Sequence, residues 1–99
     1  MSYLTEVLST ENVGTYSSSL VVGAGEYIIT LDVKLKTGTH DNSRVTLEHT
    51  PDGTNWFSDE QSTNGTGSIT VRVSALEVRA YVIRGEGSAA TANIFITAK

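Results

Sequence analysis

The chain has 99 residues, with seven Lys and Arg against eleven Asp and Glu, a formal charge of −4, two His and no Cys. That length holds one domain around one core, and the absence of cysteine excludes disulfides, thiolate metal sites and thiol catalysis, so stability rests on packing. The acidic balance opposes a polyphosphate backbone and argues against nucleic acid as a partner. With no basic-then-apolar leader in the first twenty residues and no run of eighteen apolar residues, neither export nor membrane insertion is expected.

Ser and Thr together number 25, and no window repeats apolar residues at helical spacing over three turns. Alternation with period two dominates instead. Residues 3–9 read as an edge strand or, within 1–12, an N-terminal arm, and residues 18–22 as a short strand closed by Gly23-Ala24-Gly25. The clearest strand is 27–36, where Tyr27, Ile29, Leu31, Val33 and Leu35 share the core face. After a polar loop carrying His40 and Asp41, residues 44–50 resume the pattern with Val45, Leu47 and His49 inward, which predicts an antiparallel neighbour of 27–36. Pro51-Asp52-Gly53 fits a turn, because proline presets one central φ and glycine accepts a positive one. A short strand at 56–61 and a turn at Asn64-Gly65-Thr66-Gly67 follow, then 69–74 with Ile69, Val71 and Val73 inward. Residues 78–84 and 92–98 read as a final hairpin across 85–91. Seven or eight strands without a helix predict an all-β, antiparallel β-sandwich or jelly-roll-like domain spanning 1–99.

No constellation for catalysis emerges. His49 keeps register with core residues and is expected to bond a backbone carbonyl at the core edge, while His40 belongs to a solvated loop. Asp52-Gly53-Thr54-Asn55 lacks the ligand spacing of a calcium loop, and Asp59 and Glu60 face opposite sides of a strand and cannot flank one glycosidic bond. No catalytic, cofactor-binding or metal-ligating residue is assigned, and an enzyme is not expected. The informative feature is the wet face of the last hairpin. Centred on Ser88, it sets Tyr81 opposite Phe95, Ile83 opposite Asn93 and Arg79 opposite Thr97. An exposed apolar cluster beside an arginine is what protein interfaces bury, unless the N-terminal segment covers it through Tyr3, Leu4, Val7 or Leu8.

The stretch Val45-Thr46-Leu47-Glu48-His49-Thr50-Pro51-Asp52-Gly53-Thr54-Asn55-Trp56-Phe57, the strand Val78-Arg79-Ala80-Tyr81-Val82-Ile83-Arg84-Gly85 and the closing Ala92-Asn93-Ile94-Phe95-Ile96-Thr97 together resemble small β-sandwich virion proteins of tailed bacteriophages. The likeness covers about the C-terminal 55 residues. It implies a non-enzymatic capsid decoration or cement protein, made in the host cytoplasm, that binds the major capsid protein on the capsid exterior as a trimer or dimer. Interface contacts are then expected from Tyr3, Leu4, Val7, Leu8, Arg79, Tyr81, Ile83 and Phe95. Because some carbohydrate-binding sandwiches share the Asp-Gly-x-x-Trp turn, a sugar-binding or structural module of a phage tail or fibre is the alternative. Trp56 or Tyr81 would then be the stacking platform, with Asp52, Asn55 or Asp59 as polar contacts. The N-terminal third, where a capsid-gripping arm would lie, matches nothing in that family.

Overall fold

A computed structural model describes residues 2–37, 43–85 and 90–99. The loop with His40 and Asp41, and Ser88 at the centre of the expected last turn, lie outside the described residues. Six strands form one antiparallel sheet: β1 (Ser2–Ser9), β2 (Leu20–Thr37), β3 (Arg44–Thr50), β4 (Phe57–Ser62), β5 (Gly67–Arg84) and β6 (Thr91–Ala98), in the order β1-β6-β2-β5-β3-β4. The all-β, antiparallel class is therefore as expected, with no helix among the described residues.

The predicted runs merge into fewer strands because their breaks are absorbed within the ladder. In β2 the runs 18–22 and 27–36 join through Gly23-Ala24-Gly25, which forms an irregularity rather than a closing turn. The register with β5 passes from Val21↔Glu77 to Gly25↔Ala75, so three β2 residues stand against one of β5. Gly23 takes φ +83°, which L side chains rarely adopt, and the Tyr27 hydroxyl donates to the Val22 carbonyl at 2.5 Å to brace the bend. β5 changes phase at the same level. Ile69, Val71, Val73 and Ala75 are buried at odd positions, then Val78, Ala80 and Val82 at even ones, with Leu76 and Glu77 only half-buried between them.

This joint lets a single sheet enclose its own apolar face. Ile29, Leu31, Ile94 and Ile96 on one side of it, and Val45, Leu47, Val78 and Val82 on the other, are each exposed by 1% or less and belong to one cluster. Side chains on a flat sheet would keep one side in water, so the two ends of the sheet must curl toward each other.

Two predicted pairings are corrected. Residues 78–84 and 92–98 do not form a hairpin: β6 lies between β1 and β2, and the end of β5 pairs with β3. Likewise β2 and β3 are not neighbours, since β5 runs between them. Alternation reveals which face a strand buries but not which strand it adjoins.

Of the two expectations for the N-terminal segment, residues 2–9 form the edge strand rather than an arm: β1 lies at one end of the sheet, pairs with β6 over eight consecutive residues, and its Leu8 is in the core. Beyond it, residues 14–17 run along the end of β5: the Gly14 and Ser17 amides donate to the Val82 and Ala80 carbonyls, and the Val82 amide donates to the Thr15 carbonyl. Gly85 lies against this crossing. A Cβ there would overlap the Thr10 carbonyl oxygen and press on Glu11 backbone atoms, and Thr10 is itself fixed by its amide bond to the Ala90 carbonyl. Gly85→Ala should therefore destabilise the fold by about 1–3 kcal/mol through overpacking. The expected signature is a lower urea midpoint at an unchanged slope.

Candidate functional site

The turn 51–54 is a closed polar unit. Asp52 Oδ1 accepts the amides of Thr54 and Asn55, each at 2.8 Å, and the Thr50 hydroxyl at 3.1 Å; Oδ2 accepts the Asn55 side-chain amide at 2.6 Å. Gly53, at φ +83°, donates its amide to the Thr50 hydroxyl and packs near Leu76. The Asn55 and Thr54 amides, helped by the Asn55 side chain, hold the Asp52 carboxyl well below the usual carboxylate range. Asp52 and the Asn55 amide group, both exposed, thus organise the turn and place Trp56.

Trp56 leads into a stack on the outer face of β3 and β5. The Arg79 guanidinium carbon is 3.9 Å from the Trp56 ring centroid and 3.8 Å from that of Tyr16, so the two rings cover its opposite faces. Tyr16 in turn stacks on Tyr81 with centroids 4.7 Å apart and planes 20° from parallel. The edge of the guanidinium is used as well: Arg79 Nε and Nη2 both reach Glu48 Oε1 at 2.9 Å, while the Ser58 hydroxyl donates to Oε2 at 2.8 Å. Glu48, the register partner of Arg79, is buried. The whole assembly is an organised strap tying 14–17, β5, β3 and β4 together.

The interface residues expected from sequence consequently divide among four places. Arg79 and Tyr81 belong to the strap, where Tyr16 covers Tyr81. Leu4 packs partly and Leu8 fully on the core side, so alternation removes both from any outer surface. Tyr3, Val7 and Phe95 lie on the outer face of the β1, β6 and β2 end, exposed by 74%, 55% and 42%. Phe95 is in register with Thr5 and Asp32, not Tyr81, which pairs with Thr46 and bridges to Tyr16. Ile83 is exposed separately near the end of β5. The cluster therefore breaks at the point where the expected hairpin fails.

Tyr16 was not legible as a site residue, because Thr15-Tyr16-Ser17 lacks alternation and its role exists only once 14–17 lies along β5. His49 stands at the core edge against Phe57, with ring centroids 5.8 Å apart. Its Nδ1 is buried without a hydrogen-bond partner, so the expected carbonyl bond is not made through that atom. A groove of about 210 Å³ at the end of β6, lined by Glu26, Tyr27, Ile28, Arg72 and Lys99, holds the exposed Arg72–Glu26 pair at 3.4 Å. No group of three potential metal-ligating side chains occurs among the described residues. No family model and no curated protein matches this sequence.

Two outcomes test the site. Arg79→Ala strips both rings of their shared cation and leaves the Glu48 carboxylate buried without it, so a loss of about 2–4 kcal/mol is expected in denaturant melts. Arg79→Lys should recover only part, since an ammonium cannot offer the same planar fork. For Asp52 the folded-state value is depressed, so its contribution is present above the unfolded value and disappears as pH falls through the folded one. Thermal melts should show wild type losing stability on acidification below about pH 4. Asp52→Asn should start less stable at neutral pH and lose less on acidification.

Proposed function

We propose that the protein is a non-enzymatic structural component of a tailed-phage particle: a head decoration protein, made in the host cytoplasm, that binds the capsid exterior and reinforces contacts between major capsid subunits. The curled sheet is read as the β-sandwich of the virion proteins that residues 45–57, 78–85 and 92–97 resemble. The observation that carries the adhesive part of this reading is the outward apolar set of Tyr3, Val7 and Phe95. These large side chains are left in water by a chain whose core cluster already buries seventeen hydrophobic residues. A molecule that needed them only for folding would turn them inward; one that adheres to another surface gains by keeping them out.

The sugar-binding alternative draws no comparable support. One ring face of Trp56 is against Arg79, and the Asp52 carboxylate is filled by its own turn.

The test uses the purified chain and empty shells assembled from the major capsid protein of the phage that encodes it. Co-sedimentation should saturate at a fixed ratio to capsid subunits, and decorated shells should withstand higher temperature than bare ones. Shells that neither retain the chain nor gain stability would overturn the proposal.

A further inference from the structure

The two edges of the sheet are treated differently. β4 is six residues long, carries Asp59 and Glu60, and breaks register with β3 between Thr46 and Glu48. Such charges and irregularities discourage another strand from adding. β1 has no such protection. Its eight residues pair with β6 without a shift and contain no Pro, Gly or Lys. Its one charged residue, Glu6, turns its carboxylate to the Ser18 amide at 3.0 Å.

The ladder also determines which backbone groups of β1 are free. Ile28 and Lys99 exchange both amide bonds, which makes them a hydrogen-bonded pair, so the odd residues of β6 point their backbone toward β2. Its even residues point toward β1. The Thr10 amide bond to the Ala90 carbonyl continues that register and agrees. The even residues of β1 therefore bond β6, and Tyr3, Thr5, Val7 and Ser9 aim their N–H and C=O groups away from the sheet. Among the described residues no backbone group meets them.

We propose that β1 is a self-association edge, pairing antiparallel with β1 of a second copy about a two-fold axis through Thr5. A two-fold edge contact is self-complementary, and only an axis through a residue matches outward groups to outward groups. An axis at Thr5 opposes Thr5 to its own copy and Tyr3 to the second copy's Val7, an aromatic and β-branched pair on the outer face. Moving the axis to Glu6 would set two carboxylates directly opposite, while moving it to Leu4 would shorten the overlap. Phe95, in register with Thr5 one strand inward, extends the covered strip. Two sheets then become one of twelve strands. A contact of this size belongs to the small class, so association is reversible and concentration-dependent.

This inference concerns the isolated chain and stands whether or not a shell binds it. Because the sequence has no cysteine, Thr5→Cys and Ser9→Cys can each be treated with a short bismaleimide at rising protein concentration. Thr5→Cys should cross-link to a covalent dimer. Ser9→Cys should not, because two copies of residue 9 lie about 26 Å apart, eight residues of strand rise. Sedimentation should show a dimer for wild type that Val7→Lys abolishes with an unchanged strand spectrum; should that variant lose its fold, Thr5→Lys at the same exposed edge takes its place. Equal cross-linking at both positions, or a wild-type monomer throughout the millimolar range, would overturn the proposal.

Discussion

The fold depends on one joint. β2 bulges at 22–24 opposite the point where β5 exchanges odd for even inward positions, and both strands continue on the other side. Without that coordinated change, two 18-residue strands would form a flat ribbon with one apolar face in water. With it, the ribbon turns and its two ends enclose a single core. Gly23 supplies the backbone freedom, and Tyr27 closes the bend by bonding Val22. The rest follows from which end of the ribbon each remaining strand joins: β6 and β1 extend beside the end of β2, while β3 and β4 extend beside the end of β5.

The same joint explains what could be read from the sequence. The inward sets of 27–36, 44–50, 69–74 and 78–84 were legible because period two is a property of the strand itself. Partner choice was not. Tyr81 and Phe95 seemed to oppose one another because a glycine-containing segment separates two alternating runs, the usual sign of a hairpin. In the structure β6 instead fills the place between β1 and β2, where Ala92, Ile94 and Ile96 are flanked by paired strands on both sides. Of the anticipated surface residues, those on the outer face of β1 and β6 remain outward. Arg79 and Tyr81 are drawn into a strap whose third member, Tyr16, lies in a segment with no periodic signal. The Asp52 turn was legible from Pro51, Asp52 and Gly53, although its carboxylate proved to serve the backbone.

The two outer faces consequently have different chemistry. On the β3 and β5 side, charge and aromatic surface are mutually satisfied: Arg79 between two rings, its donors on Glu48, and Glu48 also held by Ser58. Covering that face would bury the exposed Tyr16 and Ile83 but would also disturb a charged network whose desolvation is costly. On the β1, β6 and β2 side the polar neighbours are a mixture of hydroxyls and charged side chains, with Asp32 in register with Phe95 and Lys34 in register with Asn93. Thr30 and Thr70 are hydrogen-bonded to each other at 3.3 Å, and Ser68 donates to Asp32. Around them stand Tyr3, Val7 and Phe95.

An adhesive surface works best where apolar area is large and polar groups either keep existing partners or gain new ones as water leaves. The β1 end meets both conditions. Its outward side chains supply the area, and its unpaired amides and carbonyls require a partner with the same regular spacing, which an extended strand provides. The net charge of −4 would repel a second copy at long range, yet β1 brings only one acid to the contact, and that acid is engaged internally. Short-range pairing is thus least opposed at the edge that the molecule leaves unguarded.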